Sequence, residues 1–263
     1  MITSFFSNIR IFSTTIKEAI NQEVLPNPKV FLIPLYLNTN NNSEIIVKNP
    51  KKKKEINCLY QNRWQYLKNK EYKINIYCTQ EQYLLDLNNQ IEYFKKQYMY
   101  NRNEILKNRW LYLSGERLKW LSNKKIPYIQ TILKKVETER TLVFCNNIAQ
   151  TEYLGKYCIN SKNKQSSEYL NDFNNKKIHH ITACNMLNEG MNLVDCRIGI
   201  YANLNNSDII IKQRLGRILR HKNPIIIIPY YKNTREEELV NKMLEDYDED
   251  LITIISDIKD LKI

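Results

Sequence analysis

The sequence is poor in glycine, in histidine and in long apolar runs. Five glycines, at positions 115, 155, 190, 199 and 216, serve 263 residues. A phosphate-cradling G-x-x-x-x-G-K-[ST] loop needs two glycines five apart, and no pair here has that spacing. Gly155-Lys156 is followed by Tyr157 and has no glycine at 150, so it reads as a helix end. No apolar strand leads into a DExx magnesium-binding box; the acidic "DYDED" (246–250) follows a charged helix and reads as solvated surface. Six cysteines form no CxxC pair, and several sit in apolar runs such as "TLVFC", where a thiol behaves as a small hydrophobe. "HHITAC" (179–184) offers too few ligands for zinc, so no metal site is expected and the cysteines read as reduced core residues of a cytoplasmic protein. There is no signal-peptide pattern and no run of about 18 apolar residues, which predicts that nothing spans or enters a membrane.

What is present is basic and globular. Hydrophobic residues make up 43% of the chain and charged ones 26%, enough for a sizeable core in one large domain or two small ones. Forty Lys+Arg against 28 Asp+Glu leave a net charge of +12, which points to a polyanionic partner. Asn, Ile and Tyr are abundant too, so a codon bias also accounts for surplus lysine. More telling is "QRLGRILR" (213–220), which sets Arg214, Arg217 and Arg220 at three-residue intervals and is followed by "HKNPIIIIPYY". Three cations that close must be held rigid or left in water, and the run after them suits the middle of a sheet. The pair describes a fixed cationic edge beside a core.

Along the chain, Thr15 and Glu18 fit a capping box that opens a short helix, ended by "LPNP". "KVFLIPLYL" (29–37) and "YKINIYC" (72–78) read as strands, and the asparagine-rich, basic "NTNNNSEIIVKNPKKKK" (38–54) as a solvated loop. From 79 to 136 the apolar spacing is helical, through Tyr83, Leu84, Leu87, Ile91 and Phe94 and again through Ile105, Leu106, Trp110 and Leu113. Basic residues and Trp120 are interleaved. Such a mixture can form a single-strand platform, but the spacing favours a core stripe with a solvated opposite face. From 141, the strands "TLVFC", "IHHITAC", "RIGIYAN" and "PIIIIPYY" alternate with helices, which predicts βαβ units and a parallel sheet. "REEELVNKMLEDY" closes as a charged helix.

Four motifs in order carry a family resemblance. "QRLGRILR" resembles motif VI of superfamily 2 helicases, and "ITACNMLNEGMNLVDCRIGIYAN" (181–203) resembles motif V with its following strand. "RTLVFCNNIAQTEYLG" resembles motif IV, "CINSK" (158–162) the nucleic-acid contact loop after it, and "TTIKEAINQEVLPNPKVFLIPL" the connector into the second helicase domain. The resemblance implies an α/β fold: a RecA-like parallel sheet flanked by helices, with a large helical insertion. It divides the chain into a connector (1–28), the start of the second RecA-like domain with its basic loop (29–78), the insertion (79–136), the core with motifs IV to VI (137–234) and a helical tail (235–263).

By position in those motifs, Arg217 and Arg220 would reach the γ-phosphate of ATP held between two domains. Guanidinium is permanently charged, forked and able to stabilise phosphoryl transfer. Glu189, Gly190, Asn192, Gln213 and Arg214 match nucleotide-side positions, and Asn146, Ser161, Thr182 and Cys184 nucleic-acid-side ones. Gly216 would allow close backbone approach. Two positions depart from the pattern. Cys184 stands where many members have a phosphate-touching threonine, so Thr182 or backbone N–H groups would have to serve. Asn192 replaces the ribose-binding aspartate. The chain is therefore expected not to hydrolyse ATP alone. It reads as the C-terminal half of an ATP-dependent DNA or RNA helicase whose phosphate loop, DExx box and magnesium lie on another chain. A start just before the connector and the compact, asparagine-rich composition resemble split bacteriophage replication proteins, acting in the host cytoplasm. The alternative is a nucleic-acid-binding module descended from a helicase that turns over no nucleotide.

Overall fold

Runs of four to seven apolar residues build the central sheet. In the computed structural model, which describes residues 16–40, 42–184, 193–205, 207–245 and 247–263, two units are distinct. The first comprises Met1–Pro34, Lys125–Tyr230 and Thr234–Ile263, the second Leu35–Lys124 with Tyr231–Asn233. Thr15, proposed to cap the first helix, lies outside the described residues, and the helix α1 spans Ile16–Asn21.

The first unit is the expected α/β architecture, a parallel sheet flanked by helices. Its strands are β1 (Lys29–Leu35), β5 (Thr141–Phe144), β6 (Cys158–Ile159), β7 (His180–Ala183), β8 (Ile198–Tyr201), β9 (Ile225–Tyr231) and β10 (Ile252–Ile254). They lie in the order β10-β1-β9-β8-β5-β7-β6. Pairing is parallel between β5 and both β7 and β8, between β6 and β7, and between β8 and β9. β5, β8 and β9 are buried at every position. This is why they read as unbroken apolar runs: helices cover both faces of a parallel sheet. The helices are α4 (Ile126–Lys135), α5 (Ile148–Leu154), α6 (Ser166–Asn174), α7 (Asp208–Ile218) and α8 (Arg235–Leu244). The chain passes from β5 outward to β6, back to β7, and then across β5 to β8. The direction of winding therefore reverses at β5, and the carboxyl ends of β5 and β8 flank the switch point where open α/β sheets place ligands.

The second unit begins earlier than the 79–136 insertion foreseen. It has a sheet of its own, β2 (Glu44–Lys48), β3 (Glu55–Leu59) and β4 (Lys73–Cys78), in the order β2-β4-β3. "EIIVK" is thus a strand and not part of a solvated loop, because it pairs antiparallel with β4 and sets Ile46 against Ile76. "YKINIYC" supplies the middle strand of this small sheet. Ile46, Tyr60, Ile74, Ile76 and Cys78 form its core. Two long helices follow, α2 (Gln80–Asn101) and α3 (Glu104–Lys124). A capping box opens α2: Gln82 N donates to Thr79 Oγ1 at 3.1 Å, and Thr79 N donates to Gln82 Oε1 at 2.9 Å. Arg102, at φ 52°, turns the chain out of α2 in the left-handed region. α4, inside the foreseen insertion, belongs to the first unit, where Ile129, Ile132 and Leu133 are buried.

Candidate functional site

The loops leaving the carboxyl ends of β5, β6 and β7 hold Asn146, Ser161 and Cys184, three of the residues singled out from the motifs. After β5, Asn147 caps α5 by accepting from Gln150 N at 2.9 Å, and Gln150 Oε1 accepts from Asn146 N at 2.8 Å. Asn146 is thereby fixed. Its Nδ2 donates to Asn203 Oδ1 at 3.1 Å, across the switch point to the loop after β8, and Asn203 N donates to the Phe144 carbonyl at 3.0 Å. Cys184 follows β7, is buried, and donates its thiol to the Asn146 carbonyl at 3.3 Å. Burial raises its pKa, with the nearby Arg214 working in the opposite sense. A buried, protonated thiol already engaged with a carbonyl offers a phosphate almost nothing.

Thr182 does not compensate. It is buried within β7, and its hydroxyl donates to the Thr151 carbonyl at 3.1 Å while its N–H donates to Tyr157 O. The expectation that Thr182 replaces the missing phosphate contact is corrected by that internal bond. Ser161 is exposed, on a turn organised by a residue that the motifs did not single out. Asn160, buried, accepts at Oδ1 from both Lys162 N and Asn163 N at 3.0 Å, and its backbone exchanges bonds with the Ser166 hydroxyl. An Asx turn of this kind presents Ser161 and Lys162 to solvent beyond the end of β6. Asparagine before a turn was the only local signal, and this sequence is full of asparagines.

α7 places the arginines. Ile211, Leu215 and Ile218 are buried at helical spacing and bring the helix down on β8. The approach is close because residue 199 is glycine: a Cβ there would sit 2.7 Å from Ile218 Cγ1. Gly216, by contrast, faces open space, with nothing within 4 Å of a built Cβ, so the close approach foreseen at 216 occurs at Gly199 instead. Arg214, only 4% exposed, borders the buried stripe. It donates to the Asn203 carbonyl at 2.9 Å, and its guanidinium carbon lies 5.2 Å from the Phe144 ring centre. It is an internal strut tying α7 to the loop after β8. Burial lowers its pKa, opposed by Tyr201, Cys145 and Cys184.

Gln213 is half-buried beside it. The helix then runs away from the carboxyl edge. Arg217 lies in its last turn, 8% exposed, and Arg220, exposed, follows the helix end. Burial lowers the Arg217 pKa, and the positive charge of Arg220 lowers it further. Next in the chain, His221 Nε2 sits 3.4 Å from Asp195 Oδ1 on the segment entering β8. The candidates therefore fall in three places: Asn146, Cys184 and Arg214 around the switch point, Ser161 on the turn after the edge strand β6, and Arg217 with Arg220 at the far end of α7. Glu189, Gly190 and Asn192 lie outside the described residues. Among the described residues no cluster of His, Cys, Asp and Glu suits a metal ion, and no helix is long and apolar enough to cross a membrane.

No curated protein matches the chain. Solved structures similar to it include S. cerevisiae Dbp5 bound to RNA and ADP BeF3, at 12% identity and TM-score 0.44, covering 51% of this chain and 39% of that one. The Pyrococcus furiosus Hef helicase domain aligns at 17% identity and TM-score 0.35, over 61% of this chain and 37% of that one. The E. coli DEAD-box protein SrmB bound to regulator of ribonuclease activity A aligns at 16% identity and TM-score 0.43, over 52% of this chain and 86% of that one. The chain thus spans well under half of the Dbp5 chain it matches. In sequence, residues 124–222, which run from the end of α3 through α7, match the helicase conserved C-terminal domain.

Proposed function

We propose that the chain is the C-terminal half of an ATP-dependent superfamily 2 nucleic-acid helicase, acting with a first RecA-like domain carried on another chain. The observation that carries this reading is the pair of guanidinium groups at the end of α7, within a segment that matches the helicase conserved C-terminal domain. α7 is anchored by its buried stripe and by Arg214, so Arg217 is held in place, and its pKa is lowered both by burial and by Arg220. Arg217 and Arg220 would supply positive charge to the phosphates of ATP at this end of the helix. The residues present therefore fit the anionic end of ATP. Magnesium and the phosphate loop belong to the partner in this reading. The ends of β5 to β8 serve DNA or RNA through Asn146, backbone N–H groups and the Ser161 turn, without the Thr182 hydroxyl. A split bacteriophage replication helicase at work in the host cytoplasm is the finer form of the proposal.

The test is nucleic-acid-stimulated ATPase activity of the chain co-purified with the product of the adjacent gene. Arg217→Ala is expected to lower kcat by about 10³-fold or more, the range of an arginine finger. Unchanged turnover removes the proposal. A pair that binds nucleic acid and hydrolyses no ATP supports the non-hydrolysing module instead.

A further inference from the structure

We infer that the distal half of the α2–α3 hairpin is a binding surface for single-stranded nucleic acid. This rests on the proposed function for the class of ligand and assigns it to a unit outside the helicase-like segment. The net charge of the molecule is concentrated in the inserted unit. Residues 35–124 hold seventeen Lys/Arg against eight Asp/Glu, or +9 of the total +12. They also hold all three tryptophans and fourteen of the 28 aromatic residues.

The expected arrangement, a core stripe backed by a polar face, holds only near the small sheet, where Leu84, Ile91, Leu113 and Leu121 are buried. From 92 to 112 no residue is buried. Tyr93, Tyr100 and Tyr112 are 58%, 88% and 57% exposed, with Met99, Ile105 and Leu111 also in water. Rings in that position add nothing to a core. They are accompanied by cations. The Arg109 guanidinium lies 5.5 Å from the Tyr112 ring centre and 5.9 Å from that of Phe94, and Arg102 and Lys107 each lie 5.8 Å from Tyr98. Among the described residues Arg109 makes no ion pair. Arg109 and Tyr112 also line a cleft of about 620 Å³ against β2, one wall of which is the stacked pair Tyr83 and Trp120, 5.0 Å apart. That volume lies within the range of small-ligand pockets and admits a nucleobase.

Exposed rings interspersed with cations, with Arg109 directly beside Tyr112, match a polymer that alternates flat π faces with phosphates. A protein groove would complement the apolar atoms and leave the cations facing no opposite charge. A duplex would satisfy the cations and leave the rings idle, because its base faces are already stacked. A single strand satisfies both.

The experiment uses the full-length chain with neither nucleotide nor second chain, so its outcome does not depend on Arg217. Fluorescence anisotropy is measured with labelled dT20 and U20 strands, a 20-base-pair duplex and inorganic polyphosphate. Tyr93→Leu/Tyr112→Leu keeps apolar bulk and charge but removes two rings. It is expected to weaken binding of the strands about tenfold or more, and to leave polyphosphate binding unchanged. Arg109→Gln is expected to weaken both. Strand affinity within twofold of the unaltered chain in the Leu variant, with its circular dichroism preserved, overturns the inference. So does retained strand binding with loss of a co-purifying protein, which reassigns the surface to protein docking.

Discussion

Two adjacent lysines show how little a side chain's own identity says about its task. Lys124 forms an ion pair with Glu44 inside the inserted unit. Lys125, 0% exposed, pairs with Glu236, 1% exposed, at the start of α8, and also donates to the Pro229 carbonyl at 3.3 Å. Burial lowers the Lys125 pKa and Glu236 opposes the shift. In "SNKKIP" the two read alike, because the partner of the second lies 111 residues away. Removing one member leaves an uncompensated buried charge. Lys125→Met is expected to cost about 3–5 kcal/mol, and Lys125→Met/Glu236→Leu to recover most of it. Urea unfolding monitored by circular dichroism checks both.

The cysteines were legible as core residues, and five of the six are buried. Burial pushes the Cys78 thiol up to about 11 and that of Cys196 to about 12, and raises Cys145 further still. Only the thiolate is nucleophilic. Alkylation of the native protein at pH 8 is therefore expected to label half-buried Cys58 first, which peptide mass spectrometry resolves. Comparable early labelling of Cys145 or Cys196 would contradict the packing described.

Among the elements, those whose burial is complete could be read from residue type alone. β5, β8 and β9 are apolar at nearly every position because both faces are covered, and α7 shows its stripe at 211, 215 and 218. β2, β3, β6 and β10 escaped notice. They are two to five residues long, mixed in polarity, and become strands only beside a partner. The two glycines flanking the α7 story make the same distinction testable. Gly199→Ala drives a methyl into Ile218 and is expected to cost about 1–3 kcal/mol. Gly216→Ala meets nothing and should stabilise the helix by roughly 0.5–1 kcal/mol. Thermal melts of the two variants should therefore move in opposite directions.

Taken as one object, the molecule divides its chemistry unevenly. The α/β unit carries the motif residues with almost balanced charge, while residues 35–124 carry +9. Binding of a single strand should therefore be strongly salt-dependent. If four or five phosphates are neutralised, log affinity should fall against log salt with a slope of about −3. A slope near zero in an anisotropy titration would show that the positive charge is not engaged.

Sequence alone was enough to give the longer strands of the first unit (β1, β5, β7, β8 and β9), the basic character and the order of the motifs, because apolar runs, net charge and local spacing are properties of neighbouring residues. Three-dimensional packing settled which arginine is a strut and which stands at a helix end, that Thr182 is spent on Thr151, that Lys125 is buried, and that the insertion begins at Leu35 and leaves its far half uncovered. Each of these depends on what lies against a side chain. Periodicity shows that a residue has a face, but the surface which meets that face is supplied by distant parts of the chain.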